Sequence, residues 1–189
     1  MSTTTDEAAR AGAHVLPLEN MLSVNKDAVL AAVQTDCRAL EWTLQWEDAT
    51  LRADKDVVLA VVQDSGRALR WADAALRADK DVVLAAVQDD GCALRWADAA
   101  LRADKDVVLA AVGRDGGALE WADATLRADK DVVLAAVRSG GYDPGEILEY
   151  ADAKLLADKD VVLAAVQTDG RALRWADAKL RADKDVVLA

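Results

Sequence analysis

Apolar residues in this chain fall into two kinds of block that alternate and recur. The first kind, Val57-Val58-Leu59-Ala60-Val61-Val62, is apolar at every position and is bracketed by Asp54-Lys55-Asp56 and by Gln63-Asp64. The second kind, Ala68-Leu69-Arg70-Trp71-Ala72, shows none of the strict alternation of a half-buried strand and fits an abbreviated helix better. Asp54 stands where a side-chain oxygen accepts the free N–H groups of a helix start, and Asp56 in the first turn suits the positive end of the helix dipole. The first block therefore predicts a helix apolar all round, covered by a partner helix and by both neighbouring units. Gly66, between the blocks, reads as a left-handed helix exit, with counterparts at Gly91, Gly116, Gly141 and Gly170. Ala60, Ala85, Ala110, Ala135 and Ala164 keep the first helix slim enough for close approach.

The pattern is a tandem repeat. Leu-Arg-Ala-Asp-Lys-Asp-Val-Val-Leu-Ala opens at Leu51, Leu76, Leu101 and Leu126, and returns with one or two exchanges at Leu155 and Leu180. A divergent copy opens at Leu22. Repeats of this length cannot bury their apolar faces alone, so they stack. The expected fold is all-α, an α-solenoid of tandem helical hairpins spanning residues 22–189, with residues 1–21 capping the first unit. Ala189 falls partway through the first helix of the seventh unit. That leaves three readings: a fragment of a longer chain, a half unit that acts as a cap, or an open edge that docks on another subunit.

The register D-K-D-V-V-L-A-A-V-x-x-x-G-x-A-L-x-W-A resembles the repeat family known as domain of unknown function 4116, with cap, glycine and aromatic in the same places. The likeness covers roughly residues 22 to 189. It implies a helical-repeat fold and no particular activity. Departures are Cys37 in the glycine slot, Tyr150 in the tryptophan slot, and four extra residues in two of the units.

Net charge is -11, which opposes binding to a phosphate backbone, where each contact needs Lys or Arg. Nucleic acid is therefore not an expected partner. No apolar run approaches a membrane span, and the polar start Met1-Ser-Thr-Thr-Thr-Asp-Glu resembles neither a signal nor a transit peptide. The expectation is a soluble, intracellular protein, cytoplasmic by default. Cys37 and Cys92 occupy different units and slots, so both are expected to be free thiols.

Candidate chemistry is sparse. The repeated aspartate pair (Asp54/Asp56 and its copies) is explained by helix capping, with the intervening lysine as a neutralising charge. Calcium would require more oxygen ligands and a glycine turn. The aromatic column Trp46, Trp71, Trp96, Trp121, Tyr150 and Trp175 reads first as packing between units and second as a ladder for a saccharide or other small ligand. Arg52, Arg77, Arg102, Arg127 and Arg181 form one charged column, interrupted by Leu156; Asp73, Asp98, Asp123, Asp152 and Asp177 form another, expected to be a salt-bridged surface. His14 has no partner that would make a catalytic triad, and no phosphate-cradling loop or metal spacing occurs, so neither an enzyme nor a cofactor is expected.

Positions that break the repeat say more than those that obey it. Glu120 and Glu149 replace the arginines at 70, 95 and 174 and make the middle of the array more acidic. Trp42 is peculiar to the first unit. Tyr142-Asp-Pro-Gly145 is read as an inserted turn that offers Tyr142 and Pro144 at the surface. Trp42, Glu120, Tyr142, Pro144 and Glu149 are thus the candidate partner-binding residues of a non-catalytic scaffold or accessory subunit. The alternative is a recognition module of a longer enzyme or effector chain.

Overall fold

Capping aspartates set the rhythm of the chain. In the computed structural model, which describes residues 49–139 and 143–189, every regular element is helical. Asp79 shows why one begins where it does: its Oδ1 accepts the N–H groups of Asp81 at 3.0 Å and Val82 at 3.3 Å, satisfying two donors that have no partner within the helix Lys80–Asp89. Asp54, Asp104, Asp129, Asp158 and Asp183 do the same for Lys55–Asp64, Lys105–Arg114, Lys130–Arg138, Lys159–Thr168 and Lys184–Val187.

The unit has three parts rather than two. After the long helix the backbone extends at Asp90, whose side chain accepts the N–H of Cys92 and starts a 3-10 helix, Gly91–Trp96. The second apolar block is therefore wound more tightly than α. Asp98 then caps a single turn, Ala99–Arg102, by accepting the N–H of Ala100 at 2.9 Å. The aspartate column read as a salt-bridged surface is thus a second set of caps, at Asp73, Asp98, Asp123 and Asp177.

Stacking joins the units. Each long helix packs on the next long helix, and each 3-10 segment on its successor where one follows directly, which gives two layers with a continuous core between them. The four valines of Lys55–Asp64, Val57, Val58, Val61 and Val62, are all fully buried, as are Ala68 and Leu69 of the 3-10 segment. Backbone bonds cross from unit to unit as well: the N–H groups of Asp73, Asp98, Asp123, Asp152 and Asp177 donate to the carbonyls of Arg52, Arg77, Arg102, Arg127 and Leu156 at 2.8–2.9 Å.

The glycines are required for a reason other than the expected one. None of Gly66, Gly91, Gly116 and Gly170 has a left-handed φ. A Cβ on Gly66 would lie 2.2 Å from the carbonyl oxygen of Ala86, on Gly91 2.4 Å from that of Ala111, and on Gly116 2.5 Å from that of Ala136. The missing side chain lets the long helix of the next unit come into contact, and any Cβ would push the stack apart.

The fifth-unit insertion is also corrected. Asp143 caps an α-helix, Pro144–Tyr150, with Pro144 in its first turn, where the lack of an N–H costs nothing. Pro144 and Gly145 are buried, so Pro144 is not a surface turn residue. Gly145, not Gly141, fills the glycine slot, and Ile147 and Leu148 take the places of Ala118 and Leu119. Tyr142 and Gly141 lie outside the described residues, as do the capping segment, the unit opening at Leu22, His14, Cys37, Trp42 and Trp46.

Candidate functional site

The long helices are not covered on every side. At 3.6 residues per turn, Val57, Val58, Val61 and Val62 share one side, and Asp56, Leu59, Ala60 and Gln63 the other. Asp56 and Gln63 are exposed, and Leu59 and Ala60 are half-buried. The same arrangement recurs at Leu84/Ala85, Leu109/Ala110, Leu134/Ala135 and Leu163/Ala164, all half-buried, with Leu163 packed on the small cluster around Val162 and Val186. Because the long helices lie side by side, these residues line up across the layer as a leucine–alanine band bordered by a row of exposed aspartates. The expectation that neighbouring repeats enclose the whole helix is wrong on this face.

Lysines tie the aspartate row across units. Lys80 Nζ donates not to the aspartates beside it in sequence but to Asp104 at 2.8 Å and Asp106 at 3.4 Å, in the next unit. Lys55 reaches Asp79 and Asp81, Lys105 reaches Asp129 and Asp131, Lys130 reaches Asp158 and Asp160, and Lys159 reaches Asp183 and Asp185. The hydrogen bond from the lysine is the main cause holding Asp79, Asp104, Asp129, Asp158 and Asp183 below the ordinary 3.8, and the same bonds raise the lysines above 10.5. One lysine meets two carboxylates at each step, so the row keeps an excess negative charge. Its outer members, Asp81, Asp106, Asp131, Asp160 and Asp185, have side chains 75–83% exposed.

The aromatic column lies in the other layer. Trp71, Trp96, Trp121, Tyr150 and Trp175 are half-buried against the core. Guanidinium groups cover rings: Arg70 lies 4.6 Å from the Trp71 centroid, Arg95 4.6 Å from Trp96 and 4.7 Å from Trp121, and Arg174 5.0 Å from Trp175. A sugar stacking on those ring faces would have to displace the arginines. Glu120 and Glu149 occupy equivalent exposed positions in successive units, where Arg70 and Arg95 stand in earlier ones.

Two other features are accounted for locally. A polar cleft of about 400 Å³ contains Arg67, Asp89, Asp90 and Arg114. Its groups satisfy one another: Arg67 pairs with Asp90 at 2.7 Å, Asp89 accepts the Gly66 N–H, and Arg114 Nε donates to the Asp89 carbonyl. Cys92 is a free thiol pushed up to about 12, first by burial and then by the charge of Asp115. Among the described residues no cluster of His, Cys, Asp or Glu is placed to hold a metal ion, and no helix is long and apolar enough to cross a membrane.

The family model described as "Domain of unknown function (DUF4116)" matches residues 51–102, 104–156, 144–181 and 158–189. The chain belongs to this family. The first DUF4116 match covers two structural units, and the matches together extend over every unit that the structure describes. No curated protein and no solved structure matches the chain. Of the candidate residues, Glu120 and Glu149 stand at the surface, Pro144 is buried, and Trp42 and Tyr142 fall outside the described residues. The leucine–alanine band was missed because an all-apolar run hides which of its residues face outward. The signal was Asp56 and Gln63, one turn to either side of Leu59 and Ala60.

Proposed function

We propose that this DUF4116 protein is a non-catalytic, protein-binding solenoid that serves as a scaffold or accessory subunit of a larger assembly. The observation that carries this reading is the leucine–alanine band on the long-helix layer, left half-open in five successive helices beside a net-acidic row. A band that repeats with the units, a rise of roughly 8–10 Å for packed helices, suits a long partner segment that places apolar side chains on it at intervals. The excess of carboxylates favours a basic edge on that segment.

The test is native size with and without the band. Size-exclusion chromatography and mass spectrometry of the tagged protein in a gentle lysate of its source should show a defined assembly. Leu84→Lys/Leu109→Lys, which keeps the stem contacts but places charge on the band, should release the protein as a monomer with little loss of melting temperature. A chain that migrates as a free monomer before any substitution would refute the reading.

A further inference from the structure

The leucine–alanine band has a gap along one edge. Three residues after Ala60, Ala85, Ala135 and Ala164, the open side of the long helix carries Gln63, Gln88, Arg138 and Gln167, all exposed, whereas the equivalent position of Lys105–Arg114 is Gly113. Gly113 is exposed, its φ is not left-handed, and a Cβ there would meet nothing within 4 Å. Gly66, Gly91 and Gly116 are each needed by the unit that packs on them, but no neighbour among the described residues needs this one. Glycine inside a helix lowers its stability relative to every residue except proline. Bare backbone on an open helix face suits close approach by a second molecule.

Stacking turns the gap into a notch. Lys105–Arg114 packs between Lys80–Asp89 and Lys130–Arg138, so Gly113 lies in register between the longer side chains of Gln88 and Arg138. Half-buried Leu109 and Ala110 stand one turn before it on the same side. Charge across the band is one-sided. Asp81, Asp106 and Asp131, at the N-terminal ends of these three helices, have side chains 78–83% exposed, and each lysine of the row is divided between two carboxylates. Towards the opposite ends, Gln88, Gly113 and Arg138 carry no negative charge.

We propose, resting on the reading of this band as a binding surface, that its occupant is an amphipathic helix with a basic flank that seats one bulky apolar side chain on Gly113. Packed helices repeat at roughly 8–10 Å. Residues seven apart in an α-helix are about 10.5 Å apart and share a face, so one apolar residue per heptad meets the band at each unit. In an extended strand the third residue on, about 10 Å away, faces the opposite side. Lysine or arginine along one flank of the docked helix faces the aspartate row. The notch sets the register, because the equivalent positions of the other described units all carry a long side chain.

The test is fluorescence anisotropy of a labelled alanine- and lysine-based helical peptide of about three heptads, titrated with the full chain at about 0.15 M salt. The peptide has leucine once per heptad, tryptophan for the middle leucine, and its lysines along one flank. Saturable binding is expected. Gly113→Gln, which fills the notch with the residue present at 63, 88 and 167, should weaken it by about ten-fold or more through overpacking, while the melting temperature holds or rises. Leu84→Lys/Leu109→Lys should abolish it. Loss of binding in the leucine variant but not in Gly113→Gln would overturn the proposal and leave the band standing as a surface. Binding that survives the leucine variant would overturn both. Absence of saturable binding, or equal binding of peptides with glutamate for lysine or with a central proline, would overturn the proposal alone, since native size still decides the reading of the band.

Discussion

Gly91 and Gly170 hold the same place in the repeat yet meet different surroundings. Gly91 is buried, and a Cβ there would strike the Ala111 carbonyl oxygen at 2.4 Å and the Asp115 backbone nitrogen at 3.0 Å. Gly170 is exposed, and a Cβ there would meet nothing within 4 Å. Leu94 is fully buried, whereas the equivalent Leu173 is half-buried and packs on a small separate cluster around Val162 and Val186. Identical residues therefore have different energetic roles according to whether another unit packs on them. What the glycine secures is contact between units, not a turn within one.

The largest way to break this contrast is Gly91→Val, which forces a branched side chain into the Ala111 backbone. It should cost about 3 kcal/mol or more, the upper end of overpacking effects, read from chemical denaturation. Asp98→Ala should cost about 1 kcal/mol, because it removes one cap while leaving the interface intact. Equal losses in the two variants would place the glycine within a turn after all.

A smaller effect concerns the lysine ladder. Asp104 is held below 3.8 by Lys80, so the pairing stabilises the fold above that pH and is lost as pH falls through the lowered value. Lys80 is raised above 10.5, so the same stabilisation persists below 10.5 and is lost as pH climbs past the raised value. Lys80→Met should therefore melt slightly below the parent at neutral pH, and the gap should close at both extremes. A gap unchanged at pH below 3.8 would mean that the ladder contributes nothing. Smallest of all, Cys92→Ser in a Cys37→Ser background should leave stability nearly unchanged. In Cys37→Ser alone, the remaining thiol should resist iodoacetamide at pH 8, because at about 12 it is almost wholly protonated.

Local chemistry was legible in the sequence, and chemistry between units was not. Asp54 and Asp56 were recognised as cap and first-turn acid because both act within four residues of backbone. Lys55 lies between them, yet it bonds to Asp79 and Asp81, and nothing in a periodic sequence tells which copy of an aspartate a lysine reaches. Gly66 was correctly singled out, but its partner is the Ala86 carbonyl, and only stacking reveals that. Gly66–Trp71 packs on its own long helix, on Lys80–Asp89 and on Gly91–Trp96, and the last two contacts cross between units. Pro144 reads as a turn residue by composition and is instead the first helical residue of a buried segment, a position where proline is equally at home. Leu59, on which the binding proposal rests, looks like an ordinary repeat residue until stacking leaves its side of the helix half-buried.

The most direct test of the account is the difference in melting temperature between Gly91→Ala and Gly170→Ala in the 189-residue chain. One methyl group is added in each, at equivalent points of the same motif. Gly91→Ala should lose about 1–3 kcal/mol of stability through overpacking. Gly170→Ala should be neutral or gain up to about 1 kcal/mol by restricting the unfolded chain. Equal losses at both positions would contradict it, since they would show that the glycine is needed by its own turn rather than by the unit that packs against it.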